Sequence, residues 1–276
     1  MIQLESVGIW RLRAYFRGGL VLLGAGLVVA GLYEDLETGG ILAIILVEIF
    51  ALFGLVSWVQ QARTARRARA LLPGLQRPGV VAMETGDYTA AAEYFEKTAA
   101  TMVSAAPDVA ATLAASAASA WLRAGNRQKT RDLLLMLIES GWPGKRDLRL
   151  PLGTRVFYTR AFLEALEGNV EEAAFFQERV MRVLPPRLRP ELRVGDVVIH
   201  SRKNNHEAAL EALKDARRWQ SESVSRTVLL DILEAFLTQQ PLLAKNAFQV
   251  ITPEKMVWLW TTWPELSQWL VSESLL

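Results

Sequence analysis

The chain has 276 residues and carries 31 Lys and Arg against 29 Asp and Glu, so no chain-wide basic field points to nucleic acid. It holds no cysteine, which excludes disulfides, thiol catalysis and zinc–thiolate sites together. Beyond an apolar first quarter, about 200 residues remain, enough for one domain with its own core. Their excess of Ala, Leu and Arg over β-branched runs predicts an all-α fold.

Residues 1–15 alternate Ile2, Leu4, Val7, Ile9, Trp10 and Leu12 with Arg11 and Arg13, a composition that suits a short amphipathic helix lying on a membrane surface. Two apolar runs follow over residues 16–60. Phe16–Tyr33 has 18 residues and Gly40–Gln60 has 21; at about 1.5 Å per residue they reach roughly 27 and 31 Å, enough for a transmembrane hairpin. No small-residue cleavage pattern follows Tyr33, so the first run reads as a span and not as a signal peptide. The connecting turn is acidic (Glu34, Asp35, Glu37), whereas Arg11, Arg13 and Arg17 precede the runs and Arg63, Arg66, Arg67 and Arg69 follow them. That asymmetry places both chain ends on the cytoplasmic side, and the short hairpin with its compact architecture suggests a bacterial plasma membrane. Tyr15, Trp58 and Tyr33 fall where interfacial aromatics sit. Gly24, Gly26, Ala30 and Gly31 offer a close-packing surface, either within the hairpin or between copies as a route to an oligomer. Glu48, the one acid inside the second run, reads first as a helix-packing or partner contact and second as a transport group. The basic segment 61–71 is a juxtamembrane linker whose arginines orient the spans and can meet anionic head groups.

From residue 72 to 220 a short pattern recurs: a helix, a Gly-Asp or Gly-Asn turn, and a helix with an early alanine. It stands as GDYTAAAEYFEKT (Gly86–Thr98), GNRQKTRDLLLML (Gly125–Leu137), GNVEEAAFFQERV (Gly168–Val180) and, more weakly, NNHEAALEALKDA (Asn204–Ala216). Ala91 with Phe95, Ala173 with a following Pro185, and Ala209 occupy matching places, and Gly79, Ala118, Ala161 and Val197 mark the first helices. This resembles the tetratricopeptide repeat, a helix–turn–helix unit with A-x₃-F late in the unit and a terminal proline. Turn spacings of 39, 43 and 36 residues exceed that family's 34, and the large aromatic of the first helix is present only as Trp121, with Ala82, Glu164 and His200 elsewhere. Pro78 is expected to shorten the first helix of copy one. Ser140–Gly153, and the segment with Pro185, Pro186 and Pro190, read as loops between copies. The resemblance implies an α-solenoid that binds segments of other proteins along a concave face.

Residues 221–276 give a degenerate fifth pair of helices, then Thr252-Pro253-Glu254 as a helix start and a helix broken at Trp263-Pro264. Trp258, Trp260, Trp263 and Trp269 fall within the last 19 residues. They read as a cap over the final apolar face or, alternatively, as a partner- or membrane-binding surface. His200 and His206 lack metal-ligand spacing, and no phosphate loop or catalytic dyad is evident. No cofactor and no enzymatic chemistry is expected. Function reads as a membrane-anchored scaffold for an unidentified protein partner. The alternatives are an accessory subunit of a larger envelope complex and a transport component using Glu48.

Overall fold

The computed structural model describes residues 38–142, 151–183, 189–218 and 224–276, together with Gly19. Every regular element among them is helical. In chain order they are α1 (Thr38–Glu84), α2 (Tyr88–Met102), α3 (Pro107–Arg123), α4 (Arg127–Glu139), α5 (Pro151–Glu167), α6 (Val170–Val183), α7 (Arg189–Arg202), α8 (His206–Arg218), α9 (Val224–Thr238) and α10 (Pro241–Val250). A 3₁₀ turn (Pro253–Met256) then leads into α11 (Val257–Trp260) and α12 (Pro264–Ser272).

One turn joins the two helices of all five pairs. Gly86, Gly125, Gly168, Asn204 and Gln239 all have φ between 55° and 88°. In each case that residue's N–H bonds three residues back, and the next residue's N–H bonds five back, as in Asp87 N–H to Ala82 O at 2.8 Å and Gln240 N–H to Ala235 O at 2.9 Å. This Schellman closure satisfies carbonyls left over at the first helix's end. The residue after it then caps the second helix: Asp87, Asn126 and Asn205 accept from the N–H of Ala90, Lys129 and Ala208. Stop and start signals are thus fused into two residues, which is why the pairs are antiparallel and tightly joined. Proline opens α3, α5, α10 and α12, where its missing N–H costs nothing.

Four residues after each cap comes the point of closest packing. Ala91, Thr130, Ala173, Ala209 and Ala244 are each 0% exposed. On the facing helix of the first pair, a Cβ added at Gly79 would stand 2.4 Å from the Phe95 ring, so only glycine fits beneath that aromatic. The pairs stack side by side, α1/α2 through α9/α10, with the first helices α1, α3, α5, α7 and α9 neighbouring one another in order. Arg69 with Asp108 and, further along, Gln76 Nε2 with Ser116 Oγ at 3.5 Å run α1 parallel to α3, and Arg155 of α5 reaches the same hydroxyl. The row curls until α9 also meets α1, and Arg123 Nη1 at the end of α3 donates to Ser225 Oγ at the start of α9 (3.0 Å).

Several expectations change. α1 runs unbroken for 47 residues through both Pro73 and Pro78, so Pro78 does not shorten it. Both prolines, and the residues whose carbonyls they leave unbonded (Arg69 and Gly74), are exposed, so water can take the vacated bonds. The basic segment 61–71 is part of this helix and not a separate linker. Pro151–Gly153 and Pro190 belong to α5 and α7 and not to loops. The rest of those breaks, and the first apolar run apart from Gly19, lie outside the described residues.

Candidate functional site

A tetratricopeptide-like array would bind on the surface lined by its first helices, so their exposure decides whether a groove exists. An open groove would leave a stripe of each inner helix solvated. Instead α3 is buried around its circumference, at Val109, Ala110, Ala111, Leu113 through Ala118, Ala120, Trp121 and Leu122. α9 is likewise buried from Val228 to Leu230 and at Ile232, Leu233 and Ala235 through Leu237. The expected concave face is not free.

Its occupant is the chain's own end, which meets the five turns in order. Lys255 Nζ donates to Thr85 O (2.9 Å), and Tyr88 Oη lies 3.8 Å from Met256 Sδ. Trp258 packs on Phe162 at 6.1 Å, while its carbonyl lies 3.4 Å from Arg127 Nη2. Thr262 donates to Leu166 O, Arg202 pairs with Glu265 at 3.1 Å and lies over Trp263, and Phe236 takes both Trp263 and Trp269 edge-to-face. Contacts at 255, 258, 262, 265 and 269 step by three or four residues through the 3₁₀ turn, α11, the break before Pro264 and α12, so that successive contacts meet successive repeats. Met256, Trp258, Leu259, Trp260, Trp263, Leu266, Trp269 and Leu270 are at most 8% exposed. At about 1.5–3 kcal/mol each, their burial is a gross term at least as large as the net stability of many domains. The segment is therefore core, and not a lid. The four tryptophans are buried inside the array, Trp258 against Phe162 of the third pair and Trp263 and Trp269 against Phe236 of the fifth, and so do not sit over a final face alone.

Where the strap crosses the first two turns, a cavity of ≈ 370 Å³ opens, lined by Tyr88, Thr89, Arg123, Glu254, Lys255 and Trp258 among others. Burial raises the Tyr88 phenol above its ordinary value, partly offset by Arg123. Burial also lowers the Arg127 guanidinium, opposed by Glu167. Cations and carboxylates are mixed around this cavity, so no single charge class of ligand is favoured. These residues come from three distant stretches, and no local sequence signal joins them.

The other sequence-derived residues lie on α1. Arg63, Arg66 and Arg67 are exposed, and Arg69 pairs with Asp108 at the head of α3 (2.5 Å). Glu48 is helical, with its side chain outside the description. From Ile49 to Trp58 the helix presents large apolar side chains to the exterior: Phe53 is 72%, Leu52 60% and Val56 50% exposed. His200 and His206 sit in different helices across a turn, and no group of three metal-ligating side chains occurs among the described residues. Glu164, which sequence reasoning placed only as a departure from the repeat, is 1% exposed. It is held by Arg160 at 2.6 Å and by the Asn169 amide at 2.7 Å, tying α5 to the turn that follows it.

Comparison with known protein families, curated proteins and solved structures finds no match. Among the described residues no helix is long and apolar enough to cross a membrane. Of the second expected span, side chains are described only from Ile49 onward, a length of about 18 Å. The two-span hairpin is therefore not seen as such. What is seen is an exposed apolar stretch, Ile49–Trp58, that continues into a basic one within the same helix.

Proposed function

We propose that this chain is a membrane-anchored helical-repeat scaffold of tetratricopeptide-like type, tethered by the hairpin 16–60 and holding its repeats at the cytoplasmic face of a bacterial plasma membrane. The observation that carries the reading is the continuity of α1. One helix bears the exposed apolar side chains Leu52, Phe53 and Val56, then the exposed arginines 63, 66 and 67, then the inner helix of the first repeat. An apolar-to-cationic order along a single helix matches a membrane exit at an anionic surface. The absence of a flexible linker would hold the repeats at a fixed orientation beside the lipid.

Because the strap fills the interior, protein partners in this reading dock on the outer second helices, where Leu135, Ile138 and Phe175 stand exposed. The role is non-catalytic. A second reading, an accessory subunit within a larger membrane complex, draws on the same Leu52/Phe53/Val56 face, which other spans could cover as well as lipid.

Single cysteines placed at Thr38 and Glu171 in this cysteine-free chain test the topology in intact cells with a membrane-impermeant thiol reagent. Labelling at Thr38 alone is expected. Labelling at Glu171 would put the repeats outside, and labelling at neither in a chain recovered without membranes would end the anchored reading. Stoichiometric co-purification with other membrane proteins would favour the subunit reading.

A further inference from the structure

The cavity of ≈ 370 Å³ where the strap crosses the first two turns falls within the size range of small-molecule clefts, about 300–1,000 Å³. Its charged wall is balanced: two cations, Arg123 and Lys255, and two carboxylates, Asp87 and Glu254. Elsewhere in the array such neighbours pair, as Arg131 does with Glu167 and Arg202 with Glu265. Among the described residues none of these four joins an ion pair, and each is instead held by a neutral group. Arg123 Nη1 donates to Ser225 Oγ (3.0 Å) and Lys255 Nζ to Thr85 O (2.9 Å). Asp87 Oδ1 accepts from the Ala90 N–H, and Glu254 accepts from the Thr252 hydroxyl, which holds its carboxyl below the usual value. These bonds position the charges without cancelling them. Each group keeps capacity for a ligand, since a carboxylate has a second oxygen and an ammonium or guanidinium has further N–H groups. Two aromatic side chains, Tyr88 and Trp258, complete the wall, both only 4% exposed.

We propose that this cavity binds a free amino acid with an aromatic or large apolar side chain. Its carboxylate meets Arg123 and Lys255, its ammonium meets Asp87 and Glu254, and its side chain lies against Tyr88 and Trp258. A ligand with one charge would cancel one pair and meet the other with like sign, which discriminates against it. The lining comes from the first turn, the second turn and the strap. An occupant therefore clamps the start of the strap to both turns, and binding to the folded chain alone stabilises it. The site does not depend on how the chain is anchored.

The test is ligand-observed NMR titration of the full-length, detergent-extracted chain with three probes of one skeleton. L-Phenylalanine carries both charges, phenylpropionate lacks the ammonium and phenylethylamine lacks the carboxylate. L-Phenylalanine is expected to bind saturably, with each singly charged analogue weaker by about tenfold or more, the worth of one charged hydrogen bond. Glu254→Gln should weaken L-phenylalanine and leave phenylpropionate unchanged, whereas Arg123→Gln should weaken L-phenylalanine and leave phenylethylamine unchanged. Arg123 also holds Ser225, so Lys255→Met, at an exposed residue, supplies a second cationic variant should Arg123→Gln fail to fold. No saturable binding of L-phenylalanine, equal affinity for all three probes, or binding unchanged in Glu254→Gln and the cationic variant would overturn the proposal.

Discussion

Two stretches of this protein share an aromatic-rich, leucine-rich character and have opposite surroundings. Ile49–Trp58 and Met256–Leu270 both carry several Leu and aromatic side chains, yet Phe53 is 72% exposed and Trp263 is 1% exposed. Apolar content states only that a segment must be covered; the covering is decided by what the fold brings to it. At the carboxyl end five repeat turns converge and each supplies a contact. At the start of α1 the repeats have not begun, and Leu52, Phe53 and Val56 stay exposed.

The largest effect should come from emptying the buried member of this comparison. Trp263→Ala removes a ring held by Phe236 and Arg202 and is expected to cost about 3–5 kcal/mol, measured by chemical denaturation in detergent. Phe53→Ala should change that stability by less than about 0.5 kcal/mol while reducing recovery in the membrane fraction. Comparable losses from both substitutions would erase the distinction. Gly79→Ala probes whether packing inside the array is as tight as beneath the strap. With its Cβ 2.4 Å from Phe95, the ring must move, at about 1–3 kcal/mol.

Smaller effects test the strap's polar contacts. Glu265→Gln breaks the pair with Arg202, but Glu265 is largely exposed, so a loss of no more than about 1 kcal/mol is expected. Tyr88 gives a pH signature. Its phenol is raised above 10.0, first by burial, so folding favours the neutral form. The associated stability is complete below the ordinary phenol value and is lost as pH rises through the higher folded one. Thermal unfolding of the native chain should therefore fall more steeply above pH 10 than that of Tyr88→Phe, and parallel curves would show that Tyr88 contributes nothing.

The repeat turns were legible because their chemistry is local. Gly86-Asp87, Gly125-Asn126 and Gly168-Asn169 announce a left-handed stop followed by a cap. The fifth turn uses Gln239 at φ 55° with no glycine, and only Pro241 beyond it signals a new helix. Pro78 was misleading because a helix breaker at an exposed position can be tolerated where water takes the freed carbonyl. The closure of the array could not be read at all. Met256 finds Tyr88 across 168 residues, and the superhelical curl that brings them together is a sum of small packing angles with no local motif. For the same reason the tryptophans, read first as a cap over the final face and second as a partner surface, gave no sign of the neighbours they meet across the array.

Tryptophan quenching in bilayers addresses both stretches at once. The native chain and Trp58→Phe, reconstituted with brominated phospholipid, should differ. The native protein is expected to show more lipid quenching than Trp58→Phe, while the carboxyl-terminal indoles resist aqueous acrylamide because they are buried. Identical lipid quenching in the two proteins, or none in either, would contradict the contrast between a lipid-covered entry helix and a self-covered carboxyl end.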